Sequence, residues 1–316
     1  MIELPKNRTR IDKPVIGHDA VPSLYFMTEA AYHRDPCPDA ALSQSIAKII
    51  LDQSPLHGWT AHPRLNPEFE ADDDKAFDVG NIAHLLMLGA GRRIERLEFD
   101  DWRTKEARTT REMLKAAGVL GVLAKRFDRA EAMVDRARLQ ISTLSVSSKP
   151  FQTEDPNQAS EVVAIWREET IWLRTMMDSL QLAPSGLFVD DYKTTERSAS
   201  PHVLDRMMVE MGWDIQAAFS ERGLLAIDPT LELVQHRFVV QEAYPPFAAS
   251  LYVMSESAMT MGRKKLDAAV NLWRAAMKSG QWPAYSRHAV FAEYPAWAES
   301  SWLNRELTDP ALQGEV

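Results

Sequence analysis

The chain has 316 residues, of which 45% are hydrophobic and 26% charged, with a formal net charge of −9 and a single cysteine, Cys37. This composition excludes a disordered or fibrous chain and suffices for a substantial core in one large domain or two small ones. One thiol excludes an internal disulfide and any zinc or iron–sulfur site built from several cysteines of one chain. No apolar run approaches membrane-spanning length, and Met1-Ile2-Glu3-Leu4-Pro5-Lys6 lacks the apolar core of a secretory signal, so a cytoplasmic location is expected.

Residues 1–40, rich in Pro, charge and short apolar pairs, read as an irregular or strand-like lead-in, and 41–316 as one domain. Ser43 caps a helix over Ala47-Lys48-Ile49-Ile50-Leu51 that stops before Ser54-Pro55. A second helix is predicted over 72–89, with Asp72-Asp73-Asp74 favouring its N-terminal dipole and Phe77, Ile82, Leu85, Leu86 and Leu88 as its apolar face. Residues 104–145 read as one or two long helices, with Met113, Leu114, Val119, Leu123, Met133, Val134 and Leu139 as the buried stripe.

Segments 161–166 and 170–178 then read as paired strands, and 187–194 as a third. Helix 201–225, strand 231–242 and helix 255–279 follow. The order predicts an α/β fold: a mixed central sheet flanked by helices, with a helical N-terminal part. The overall charge argues against a nucleic-acid binder. Between Gly91 and Ala130, however, eleven Lys or Arg stand against seven Asp or Glu: a solvated helical face or a phosphate-tracking surface.

The chemistry concentrates in Leu187-Phe188-Val189-Asp190-Asp191-Tyr192-Lys193-Thr194-Thr195. Strand side chains alternate faces, so Asp191 and Lys193 share a face with Val189 and Leu187 while Asp190 points away. Asp178, at the end of the preceding strand, reaches the same place if a turn through Pro184-Ser185-Gly186 makes a hairpin. Two carboxylates can hold a hard divalent cation, and a lysine beside them can steer a water or offset developing charge, as phosphodiester cleavage requires. His84, in Gly80-Asn81-Ile82-Ala83-His84, is either an ordinary packed histidine or a further ligand, and Gly80 would let another segment approach its helix. Gln216, on a helix face with Val209, Trp213 and Ser220, is either a solvent-facing amide or a partner for a phosphate or metal-bound water.

Taken together these motifs resemble the PD-(D/E)XK nuclease superfamily, and within it the RecE-type (exodeoxyribonuclease VIII-like) phage exonucleases, from about residue 40 to about residue 300. Leu42-Ser43-Gln44-Ser45 and Ser54-Pro55-Leu56-His57 resemble the early helix and Ser-Pro turn; Gly80 to His84 the first motif; Asp178 the first acid; Asp191-Tyr192-Lys193 with Thr194-Thr195 the D-x-K core; Gln216-Ala217-Ala218-Phe219 the glutamine helix. Phe238-Val239-Val240-Gln241-Glu242 with Pro245-Pro246, and Gly280-Gln281-Trp282-Pro283-Ala284-Tyr285, resemble its later strand and closing element. Two positions depart: Ser220 stands where the family has tyrosine, with Trp213 as a partial substitute, and Met177 stands where proline usually precedes the first acid.

The resemblance implies a Mg²⁺- or Mn²⁺-dependent, 5′-to-3′ exonuclease on linear double-stranded DNA that leaves 3′ single strands for recombination. It implies an oligomer acting beside a single-strand annealing protein. His84, Asp178, Asp191 and the Tyr192 carbonyl would hold the metal, Lys193 would orient the attacking water, Gln216 would help position it, and Glu161 would be an outer ligand. A catalytically idle DNA-end-binding module of the same fold is the alternative. A glycosidase using Asp178 and Asp191 would leave Lys193 unexplained.

Overall fold

The computed structural model describes residues 2–4, 8–70, 78–184 and 186–313. In chain order its elements are β1 (Ser23–Tyr25), α1 (Glu29–His33), β2 (Ala41–Ser43), α2 (Gln44–Asp52), α3 (Pro55–Thr60), α4 (Val79–Leu88) and β3 (Ile94–Leu97). There follow α5 (Lys105–Ala116), β4 (Leu120–Leu123), α6 (Ala124–Ser142), β5 (Gln158–Glu168), β6 (Ile171–Ala183) and β7 (Gly186–Thr195). The chain continues with α7 (Pro201–Met211), α8 (Trp213–Ile227), β8 (Val234–Glu242), β9 (Ala249–Val253), α9 (Glu256–Ser279) and α10 (Ala296–Thr308). Residues 1–283 form one compact unit; residues 284–316 form another, and its helix α10 buries none of its residues. No helix among the described residues is long and apolar enough to cross a membrane.

The main sheet runs β1-β5-β6-β7-β8-β9, with β2 added to β6 off this path. It is mixed: β7 pairs with β8 in parallel and β2 with β6 in parallel, and the other pairs are antiparallel. Its middle strands are covered on both faces, so their sequence is continuously apolar rather than alternating. Val162, Val163, Ala164, Ile165 and Trp166 are all buried. On one face α2, α8 and α9 bring Ile46, Ile50, Phe219, Leu266 and Trp273 against Leu173, Leu180 and Val189. On the other, α4 and α6 bring Ile82, Met87, Met133 and Val134 against Tyr192 and Val239. β7 thus feeds both cores by the alternation of its side chains.

One break in this sheet positions the site. β6 pairs with β7 only from Ser179↔Asp190 to Ala183↔Gly186. Towards its start β6 takes β2 instead, with Ala41, Leu42 and Ser43 opposite Trp172, Leu173 and Arg174. The sheet therefore forks one residue beyond the Ser179–Asp190 pair, between Asp178 on one arm and Asp191 on the other. The hairpin that closes the far end requires glycine at 186, where φ is +132° and a Cβ would fall 2.8 Å from the Leu233 carbonyl oxygen.

Several boundaries differ from those read in the sequence. Of the one or two helices read over 104–145 there are two, α5 and α6, and between them lies a strand the sequence did not suggest: Gly118 (φ +73°) turns the chain and Leu120–Leu123 pairs with β3. Met113 and Leu139, expected in the buried stripe, are exposed. Asp178 does not end its strand: β6 runs on to Ala183. Helix 201–225 divides at Gly212, which adopts φ +69° and ends α7 before α8 begins. Within 1–40, β1 pairs with β5 and α1 is capped by the Thr28 hydroxyl. The start expected for the second helix, Asp72 to Phe77, lies outside the described residues; the described helix starts at Val79, capped by Asp78.

Candidate active site

The fork gathers five side chains from four elements. Asp178 on β6 and Asp191 on β7 are its two arms. Asp178 Oδ2 accepts from the Tyr192 backbone N–H at 3.0 Å, so β7 grips the acid where ladder pairing has stopped. The N–H and C=O of one residue in an extended strand project to the same edge, so the Tyr192 carbonyl faces the fork too. The Tyr192 ring points to the opposite core, where its hydroxyl donates to Gln241.

His84 arrives on α4, with Nε2 2.9 Å from Asp178 Oδ2. The helix comes this close because residue 80 is glycine: a Cβ there would collide with the Thr194 hydroxyl of β7. Lys193 Nζ lies 2.6 Å from Asp191 Oδ1, and Gln216 on α8 donates to Asp191 Oδ2. Asp190, on the other face, is buried and bidentate to Arg237, at 2.6 and 2.7 Å. The alternation of β7 thus separates two adjacent acids into a site residue and a structural ion pair.

The electrostatics follow from crowding. Burial works against a charged imidazole, but Asp178 outweighs it and pushes His84 up to about 9. Burial would raise Asp178, yet His84, Lys193 and the Tyr192 N–H hold it well below the usual carboxylate range. Asp191 moves the other way, lifted by burial and by repulsion from Asp178 against the pull of Lys193. Burial also opposes the Lys193 ammonium, but the two carboxylates raise it above its ordinary value and keep it charged.

Two carboxylates, an imidazole and a carbonyl form a donor set suited to a hard divalent cation. The Asp191 Oδ1 atom is buried and has no hydrogen-bond partner, only the nearby ammonium. Among the described residues no three His, Cys, Asp or Glu side chains already stand as a metal cage; His84 and Asp178 are bonded to each other instead.

Glu161 lies at the rim. It is buried, has φ +50°, sits 3.0 Å from Arg10, and is raised by burial and by the acids Glu29 and Asp178, against Arg10 and His84. A non-glycine residue in that backbone region is strained, and nothing in the sequence marks it. His236 was not singled out in the sequence: it is buried on β8 beside Val189, neither ring nitrogen has a partner, and its ring stacks on Phe238 at 4.7 Å. Burial and the Lys193 charge keep it neutral, down to about 3. Trp213 does not face the fork as a substitute for the missing tyrosine; it is buried and stacked on Phe238 at 5.0 Å. Ser220 is buried as well, its hydroxyl donating to the Gln216 carbonyl oxygen.

No family model matches the chain, and no curated protein matches it significantly. Among solved structures it is similar to a candidate exonuclease from Eubacterium rectale, with a TM-score of 0.51 and 11% identity over 90% of this chain and 98% of that one. At that identity the likeness shows the fold: a mixed sheet flanked by helices.

Proposed function

We propose that this chain is a divalent-metal-dependent deoxyribonuclease, acting as a 5′-to-3′ exonuclease on linear double-stranded DNA and leaving 3′ single strands. The observation that carries the reading is the meeting of His84, Asp178, Asp191 and Lys193 at the fork between β6 and β7. The name of the Eubacterium rectale neighbour supports nuclease chemistry in general. Polarity, the supply of single strands for recombination, oligomerisation and a single-strand annealing partner follow from the RecE-type resemblance.

Asp178, Asp191, His84 and the Tyr192 carbonyl would hold Mg²⁺ or Mn²⁺, which when bound supplies charge for the scissile phosphate and acidifies a water. Lys193 stays protonated beside Asp191, so it can orient that water by donation and offset charge building on the phosphate. Gln216 fixes the Asp191 carboxylate through Oδ2 and leaves Oδ1 turned to the fork. His84 must give up its proton to ligate, which makes the site's assembly depend on pH.

A second reading, an idle DNA-end-binding module, is favoured by Ser220, buried and bonded to the Gln216 carbonyl where the family has tyrosine, and by the net charge of −9. Linear duplex labelled separately at each 5′ and 3′ end, digested with and without Mg²⁺ beside a closed circle, decides between them. Metal-dependent loss of the 5′ label with circles spared is the expected outcome. Intact DNA with folded protein in both Mg²⁺ and Mn²⁺ would move the assignment to the binding module.

A further inference from the structure

Beside the fork lies a pocket of about 310 Å³ whose wall includes Leu85, Leu86, Arg92, Arg93 and Phe127. It reaches the site through Glu161, which interacts electrostatically with His84 and Asp178. Leu85 and Leu86 follow His84 on α4, and the chain then turns through Gly89 and Gly91, both with positive φ, to deliver the two arginines. That turn skirts Glu161 so closely that a Cβ at Gly91 would stand 2.7 Å from Glu161 Oε1. The His33 hydrogen bond holds the Glu29 carboxylate low, with smaller pulls from His84 and Arg92.

The charge here is unspent. In the basic stretch 92–129, Arg96 is paired with Asp128 and Glu98, Arg103 with Asp101, and Arg129 donates to the Ala243 carbonyl. Arg111 lies over the Trp102 ring. Arg92 and Arg93 have no hydrogen bond or ion pair among the described residues, and neither have Lys125 and Arg126 in the turn that carries Phe127. That turn is the first of α6, which has no side-chain cap and no acid in it. Cations at a helix N-terminus add to the positive end of the macrodipole, so Lys125 and Arg126 strengthen the positive potential on the Phe127 side, while Glu29 and Glu161 stand on the other side of Arg92.

We propose that this pocket is a DNA subsite: a nucleotide next to the scissile phosphate lies with its base against Phe127 and Leu86 and its phosphate on Arg92 and Arg93. An apolar floor with an aromatic ring and a cationic rim is how a sequence-tolerant nucleic-acid groove is built, and the volume falls at the small end of ligand pockets. The inference rests on the nuclease reading for its choice of DNA as the occupant. It also gives part of the basic stretch seen in the sequence a role: Arg92 and Arg93 line the pocket, while Arg96, Arg103, Arg111 and Arg129 are engaged within the fold.

The test is binding of a fluorescein-labelled 12-nucleotide single strand in EDTA, followed by anisotropy across a salt series. Arg92→Ala/Arg93→Ala is compared with Lys264→Ala/Lys278→Ala, an equal loss of charge at exposed positions on α9. The pocket variant is expected to bind about tenfold more weakly, with a slope of log K against log salt shallower by about 1.4 for two lost phosphate contacts. Arg92→Lys/Arg93→Lys keeps both charges and is expected to retain the slope, which separates lost contact from lost fold. Unchanged affinity and slope in the alanine pair, with wild type still cleaving linear DNA, would overturn the subsite and leave the nuclease standing. Wild type that binds through the pocket yet cleaves nothing in Mg²⁺ would support the subsite and remove the nuclease. Wild type that binds no strand overturns the subsite, and digestion of linear duplex in Mg²⁺ then decides the nuclease reading separately.

Discussion

Asp190 and Asp191 are adjacent in sequence and belong to different structures. The first is locked in a bidentate pair with Arg237 in a fully buried layer, and the second opens on the fork opposite Asp178. Asp190→Ala leaves a guanidinium buried without its counter-charge, so a loss of about 3–5 kcal/mol is expected in urea unfolding. The folded fraction of that variant should keep its cleavage rate. Asp191→Asn should do the reverse, melting near wild type and losing DNA cleavage; a fully active Asp191→Asn would remove Asp191 from the chemistry.

Lys193 offers a charge to the transition state rather than a contact to the fold. Lys193→Met is expected to lower the cleavage rate by about 100- to 1,000-fold with little change in DNA affinity. Lys193→Arg should not restore it, since a planar guanidinium cannot place a point charge 2.6 Å from Asp191 Oδ1 in the same way. Single-turnover rates on linear duplex measure both.

The imidazole of His84 sets a pH window. Its folded value of about 9 lies above the ordinary 6.5, so its stabilisation of the metal-free protein is complete below about pH 6.5 and is lost as pH rises through 9. Asp178, held low, contributes above its ordinary 3.8 and loses that contribution only on acidification. Melting in EDTA should therefore fall between pH 6.5 and 9.5 for wild type and be flatter for His84→Gln. Binding of Mn²⁺, which competes with these protons, should tighten over the same range.

The approach of α4 to β7 hangs on a missing methyl group. Gly80→Ala should cost about 1–3 kcal/mol by overpacking against Thr194. It should also lower activity by moving His84 from Asp178. Adding Thr194→Ala makes room, and the double variant is expected to recover part of both losses. Strict additivity in urea unfolding would show that the two positions do not press on each other.

Gln216 acts through Asp191. Gln216→Leu should reduce metal affinity or cleavage by about 10–100-fold, the usual range for an outer hydrogen-bond partner of a metal-binding carboxylate. Isothermal titration with Mn²⁺ beside a cleavage assay distinguishes the two effects.

Much of the fold could be read in advance where one periodicity ran without interruption. The alternation of β7 placed Asp191 with Lys193 and Asp190 away from them, and the Ser43 cap marked where α2 begins. Short strands escaped. β1, β2, β4 and β9 have three to five residues, too few for a pattern, and only their partners make them strands. Trp213 was misplaced because the helix was read through Gly212, whose positive φ starts a new helix with its own phase. His84 and Asp178 are 94 residues apart, and no spacing rule joins them; the family resemblance did. Glu161 and His236 matter through strain, burial and lack of partners, which are properties of the fold and not of any residue pattern.

Asp35 accepts from the Cys37 and Ala41 backbone N–H groups and from Arg174 of β6, with His62 and Arg64 close by, all around a carboxylate sealed from solvent. It stands outside the span in which the nuclease resemblance begins, yet it neutralises an arginine on one arm of the fork. A fragment trimmed to start at residue 41 would keep every residue proposed for cleavage and carry Arg174 into the interior as a bare charge. Domain limits drawn from motifs would then cut through the electrostatic footing of the site they were meant to enclose.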